Sequence, residues 1–184
     1  MDSNSARIRP RRRSRGVQPQ AQFHDNPKSR LFDPILGGGS LLDIGIYPLY
    51  MSLLLIGKPT KIQASLRYTK SGVDASCSVL LSYANKETAS LFSSFETFTD
   101  VKCEIYGTKG RIIIPTNFHE QSHHKIMIEG LADQLVQSEK IGYGYFHEIE
   151  HVNECLYQGL EESYLMPLKM SMNLIELMDE IRSK

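Results

Sequence analysis

The middle of this chain carries a two-residue hydrophobic period, and that pattern limits its fold more than any other feature. Val73, Ala75, Cys77, Val79, Leu81 and Tyr83 are apolar, with Asp74, Ser76, Ser78 and Ser82 between them. Successive side chains of a strand point to opposite faces, so the run predicts a strand with one buried face. After Ala84-Asn85-Lys86-Glu87 the alternation resumes through Ala89, Leu91, Ser93 and Phe95, which predicts an antiparallel hairpin. Residues 60–69 read as a further strand. Residues 102–106 and 111–114 read as a second hairpin turning on Gly107-Thr108-Lys109-Gly110. Residues 124–129 add another strand, 131–136 a further candidate, and 138–144 a loop.

Helices flank this block. From Leu41 onward the apolar positions 41, 42, 44, 46, 49, 53, 54 and 56 predict a helix buried on most sides, with Ser40 as N-cap and Gly57 as its stop. Pro48 has no N–H for the Ile44 carbonyl, so a kink is expected near Gly45 and Pro48. Phe146, Ile149, Val152 and Leu156 mark the expected buried face of a helix that ends near Gly159. Pro167 opens a last helix, in which Met170, Leu174, Leu177, Met178 and Ile181 keep helical spacing. A helix, a block of strands and two more helices predict an α+β fold: an open, predominantly antiparallel sheet of about six strands with helices on one face.

The 184 residues are enough for one real core. The longest apolar stretch, 46–56, is about half of the ~20 residues a membrane span needs. The first 20 residues have no apolar middle, so no secretory leader is expected. Cys77, Cys103 and Cys155 are far apart and form no CxxC pair, which reads as reduced thiols of a cytoplasmic protein without a metal framework. The formal net charge is +0, yet Arg7, Arg9, Arg11, Arg12, Arg13 and Arg15 face a single acid, Asp2, at the start of the chain. That asymmetry predicts a basic disordered tail over 1–16, followed by one domain over 17–184. Within it, 17–23 reads as a strand that Pro19 confines to an edge or a bulge. Six guanidinium groups would attract nucleic acid without sequence preference, but no aromatic interleaving accompanies them, so a nucleic-acid partner is not expected.

Three motifs bear on chemistry. Gly37-Gly38-Gly39 precedes a helix, where anions bind, but no GxGxxG follows a strand and no GxxxxGK[ST] occurs. These glycines read as close-packing positions, and no cofactor-binding residue is assigned. The string His147-Glu148-Ile149-Glu150-His151 matches HExxH, yet His147, His151, Glu154 and Gln158 lie on the polar side of the predicted helix, a solvated face rather than a dry zinc cleft, so no metal is expected. His119, His123 and His124 offer adventitious metal contacts and nothing more. The third motif is Gly37-Gly38-Gly39-Ser40-Leu41-Leu42-Asp43-Ile44-Gly45-Ile46-Tyr47. Asp43 and Tyr47 are four apart and share one helix face. Spacing alone leaves two readings open, a buried hydroxyl satisfied by a carboxylate and an acid–phenol pair with a chemical task.

The GGG-x-x-x-D-x-x-x-Y run resembles the C-terminal domain of the glucose–fructose oxidoreductase/inositol dehydrogenase (Gfo/Idh/MocA) family. The resemblance extends over residues 22–184 through Arg30-Leu31-Phe32-Asp33-Pro34, Tyr106-Gly107-Thr108-Lys109-Gly110 and the two C-terminal helices. A tyrosine at the end of the motif brings the chain nearest to the glucose–fructose oxidoreductase and dimeric dihydrodiol dehydrogenase branch. The resemblance implies that Tyr47 is a general acid/base, and that Asp43 contacts substrate or orients the tyrosine. It also implies NAD(P) for the complete enzyme and a sugar or related alcohol as substrate. Family members place a Rossmann domain, with the lysine that assists the tyrosine, before this point. Here the composition shifts abruptly near residue 17, as a misread start, an altered frame or a truncated gene would produce. A tyrosine with its ordinary pKa of about 10 is a poor base at neutral pH without a cation to stabilise the phenolate.

The resulting expectation is a substrate-binding and oligomerisation domain that binds no cofactor and is inactive alone. The alternative is a non-catalytic binding or assembly module that pairs with a separate Rossmann-containing chain. A homodimer through the open sheet face is also expected. The even positions Asp74, Ser76, Ser78, Leu80 and Ser82, with Ser90, Phe92, Ser94 and Phe98, make a flat surface on which a second sheet can pack about 10 Å away.

Overall fold

A computed structural model describes residues 29–120, 123–139, 141–142 and 144–184. The predicted basic tail over 1–16 and the edge strand over 17–23 lie outside the described residues. Among the described residues seven strands follow the first helix: β1 (Lys61–Tyr68), β2 (Asp74–Ser82), β3 (Thr88–Ser94), β4 (Cys103–Gly107), β5 (Gly110–Ile114), β6 (His123–Ile128) and β7 (Gln134–Gln137). All pairings are antiparallel, so the α+β class and the antiparallel sheet stand. The strands hydrogen-bond as a three-stranded sheet, β1-β2-β3, and a four-stranded sheet, β4-β5-β6-β7. The chain leaves the first sheet at Phe95, whose buried ring packs on Phe32 with centroids 5.5 Å apart.

The predicted first hairpin is present, with odd positions opposite odd ones: Cys77 faces Ser93, Val79 faces Leu91, and Leu81 faces Ala89. Its odd positions are the buried ones, with Leu81 at 0% exposure. They meet two helices, α1 (Ile46–Leu55) and α3 (Leu168–Arg182), which bring Leu49, Leu53, Leu174, Leu177, Met178 and Ile181 to the same core. Burial and the Asp74 carboxylate push the Cys77 thiol up to about 11, so it stays neutral there. On the other face Leu80 and Phe92 are exposed. Asp74 does not join them. A register shift in β1 between Arg67 and Tyr68 accompanies its end of the strand, and Asp74 is buried.

Two expectations about helices change. Ser40 has helical backbone angles and no capping bond of its own, and a π turn (Leu41–Gly45) fills the stretch where a kink was predicted. The cap comes from across the molecule: Asp74 Oδ2 accepts from the Leu41 N–H and from the Ser40 hydroxyl, each at 2.7 Å. The third helix, α2 (Phe146–Tyr157), buries Cys155 rather than the predicted apolar face. Phe146, Ile149, Val152 and Leu156 are all exposed. The covered face of the first sheet is already filled by α1 and α3, which leaves that stripe without a seat on it.

Candidate functional site

The site is built on the segment that joins the π turn to α1. Two glycines let its start sit close to the 3-10 turn and to the sheet. A Cβ on Gly38 would collide with the carbonyl oxygens of Leu31 and Arg30, and one on Gly39, whose φ is +120°, would collide with Asp74 Oδ1. The Ser40 hydroxyl also lies 3.1 Å from that of Ser93 on β3. A buried carboxylate, two buried serines and two glycines thus fix the start of the helix that carries the candidate residues.

Asp43 and Tyr47 lie one helical turn apart on this support. Asp43 Oδ1 accepts from Arg30, 2.6 Å away, with 23% of the Asp43 side chain exposed. Arg30 belongs to a short 3-10 turn (Arg30–Phe32) capped by Ser29, whose hydroxyl accepts from the Leu31 N–H. An ion pair this open contributes little to stability, at most about 1 kcal/mol, but it fixes the direction of the carboxylate. Tyr47 is 44% exposed, so the reading of a buried hydroxyl satisfied for structural reasons fails. Its ring stacks on His119 with centroids 4.5 Å apart and planes 25° from parallel. His119 sits in a 3-10 turn (Phe118–Glu120) between β5 and β6, so the contact ties the helix to the second sheet.

The sequence reading missed three participants. Arg30 stood in a stretch singled out without a role. Asp74 looked like an ordinary outward strand residue. His119 showed only as one histidine among three, and the aromatic neighbour Phe118, 5.7 Å away, was its one local signal.

The HExxH string divides into two unrelated environments. His147 packs edge-on to Phe146, whereas His151 Nε2 lies 2.7 Å from the Ser163 hydroxyl and 3.4 Å from Cys155 Sγ. The face expected to be solvated is thus partly turned inward at His151. Among the described residues no three His, Cys, Asp or Glu side chains converge as metal ligands. No helix among them is long and apolar enough to cross a membrane. A small surface hollow lined by Tyr68, Asp74 and Arg182 among others includes neither Tyr47 nor Asp43. The exposed phenol therefore stands outside that hollow, beside a clamped carboxylate.

Comparison with known proteins follows the same lines. The family profile described as GFO/IDH/MocA C-terminal domain matches residues 11–113. Trans-1,2-dihydrobenzene-1,2-diol dehydrogenase of Oryctolagus cuniculus is 31% identical over 173 residues, covering 89% of this chain and 53% of that protein. The enzyme of the same name from Sus scrofa is 35% identical over 161 residues, covering 83% of this chain and 48% of that protein. Among solved structures, an aldose–aldose oxidoreductase from Caulobacter crescentus complexed with glycerol superposes with a TM-score of 0.74 at 22% identity, over 86% of this chain and 49% of that one. A 3-ketoreductase from Actinomadura kijaniata in complex with NADP and TDP-benzene gives 0.70 at 22% identity, over 86% of this chain and 50% of that one. The chain spans about half the length of the curated relatives it matches.

Proposed function

Because the chain belongs to the GFO/IDH/MocA family through its C-terminal domain, we propose that it is the substrate-binding and oligomerisation domain of an NAD(P)-dependent oxidoreductase acting on sugars or related alcohols. The observation that carries this reading is the exposed Tyr47 phenol on a helix start fixed by Asp74, one turn from the Asp43–Arg30 pair. In the glucose–fructose oxidoreductase and dihydrodiol dehydrogenase branch the motif tyrosine is proposed as the general acid/base for the substrate hydroxyl, while hydride passes to or from the nicotinamide. Here Tyr47 takes that proton role, and Asp43, oriented by Arg30, accepts a hydrogen bond from a substrate hydroxyl or aligns the phenol. Asp43 and Tyr47 are one turn apart, so a hydroxylated substrate can meet both.

The family's nicotinamide site and its assisting lysine belong to a domain that this chain does not span. A phenol needs such a cation to act as a base near neutral pH, so the chain alone is inactive in this reading. Isothermal titration of the purified chain with NADP and with NAD is the test. No heat of binding is expected, and micromolar affinity for either nucleotide would end the proposal.

Assembly enters through the open face of the first sheet. Leu80 and Phe92 are exposed there, and Ser78 pairs with Phe92 while Leu80 pairs with Ser90. Small hydroxyl residues between large apolar ones suit close sheet-on-sheet packing in a homodimer. Sedimentation equilibrium should find a dimer for the wild type and a monomer for Phe92→Lys. A folded wild type that stays monomeric at high micromolar concentration would remove the dimer from the account.

A further inference from the structure

Tyr47 sits in the first turn of α1 with 44% of its surface exposed. Helical aromatic residues divide between two χ1 wells, at about 180° and about −60°. The two wells send the hydroxyl in different directions, so an exposed tyrosine is aimed only if something grips its ring. His119 does so. The rings lie nearly parallel at 4.5 Å, the close end of the range of about 4.5–7 Å for aromatic pairs.

His119 is itself fixed. Only 27% of its side chain is exposed, and Glu120 Oε1 lies 3.7 Å from its Nε2. The Phe118 ring meets it edge-on, with planes 88° apart. The turn beneath is anchored as well. The Phe118 N–H donates to the Val101 carbonyl at 3.1 Å, and the Glu120 N–H donates to that of Asn117 at 2.8 Å. The Thr116 hydroxyl donates to the Asp100 carboxylate. Asn117 enters the turn with a φ of 61°. That left-handed region is costly for a residue with a side chain and persists where the surroundings over-determine it.

We propose that His119 is the positioning residue for Tyr47: its imidazole is a fixed wall that selects one rotamer of the phenol and aims the hydroxyl at a substrate beside Asp43. The inference rests on the function proposed above and adds how its proton-transfer group is aimed. Arg30 does the corresponding work for the Asp43 carboxylate. Each candidate group is thus braced from a different short turn. Displacing a reacting group by about 1 Å can cost about 100-fold in rate. A phenol divided between two rotamers therefore loses turnover while the groups that bind substrate stay in place.

Nuclear magnetic resonance of the whole chain with labelled tyrosine reads the rotamer directly, with the Tyr47 signals assigned by their loss in Tyr47→Phe. Three-bond couplings should show a single χ1 well for Tyr47, and its ring signals should carry the upfield shift of a stacked neighbour. In His119→Ala the couplings should average and the shift should vanish, with circular dichroism unchanged. His119→Phe keeps a flat ring and should restore the single well. Fused behind the NADP-binding part of the rabbit dihydrodiol dehydrogenase at residue 29, His119→Ala should lower kcat about 10- to 100-fold with KM nearly unchanged. His119→Phe should regain most of that loss. A single rotamer in His119→Ala would overturn the proposal, and so would averaged couplings with an intact kcat. A His119→Phe variant that regains the rotamer but not the rate would also overturn it, by giving the imidazole a charge or proton role in place of a positional one. A wild-type fusion silent on every alcohol would end the proposed function instead, and the couplings would still decide whether His119 sets the direction of the phenol.

Discussion

Replacing Tyr47 with phenylalanine is expected to lower turnover of the completed enzyme by about 100- to 10,000-fold, the usual range for loss of a positioned proton-transfer group. The substitution removes one oxygen and keeps the ring. The stack on His119, with centroids 4.5 Å apart, should therefore survive. The residue is 44% exposed, so its stability cost should stay within about 0.5 kcal/mol. The diagnostic pattern is a large fall in kcat with KM and melting temperature nearly unchanged, measured on a fusion that carries the NADP-binding part of a relative such as the rabbit dihydrodiol dehydrogenase ahead of residue 29. A fall of less than tenfold would mean that the proton is carried elsewhere.

The largest expected effect on folding belongs to Asp74. Its carboxylate accepts from the Ser40 hydroxyl and from the Leu41 N–H, and it is buried together with Ser40 and Ser93. Alanine there would remove a helix cap and strand buried donors, a loss of about 3 kcal/mol from charge-assisted bonds and a cap combined. For a chain of this size that corresponds to a melting temperature lower by roughly 10 °C. Asparagine keeps an acceptor of nearly the same shape and should recover about half of the loss. Urea and thermal unfolding followed by circular dichroism would measure both. An alanine variant within about 0.5 kcal/mol of the wild type would show that water replaces the carboxylate at no cost. The same variant should impair the site, since Tyr47 stands on the helix that Asp74 caps.

The strands were legible because their signal is local. Alternation from Val73 to Tyr83 gave the buried face and, resumed after Ala84 to Glu87, the antiparallel hairpin; the register that pairs Cys77 with Ser93 comes from the folded chain. The last helix was legible for the same reason, since its buried positions recur at helical spacing. Periodicity does not say what covers a stripe, however. The run Phe146, Ile149, Val152, Leu156 identified a helix correctly and its buried side wrongly, because the sheet surface it was assigned to is taken by α1 and α3. Asp74 escaped notice because its role depends on contacts with residues 33 and 34 positions away, which no local pattern encodes. Asp43 and Tyr47 were found from a motif and a helical spacing. Their partners Arg30 and His119 come from two separate short turns, and only the folded chain brings them to the helix.

In the proposed function this domain supplies the substrate side and the proton-transfer group, and a nicotinamide domain completes it. Initial rates of NADP reduction, measured over aldoses, nucleotide sugars and trans-dihydrodiols for the chain alone and for the fusion, test it most directly. No turnover is expected from the chain alone, and Tyr47-dependent turnover is expected from the fusion on at least one hydroxylated substrate. Turnover by the chain alone, or a folded, NADP-binding fusion that is silent on every alcohol, would contradict it.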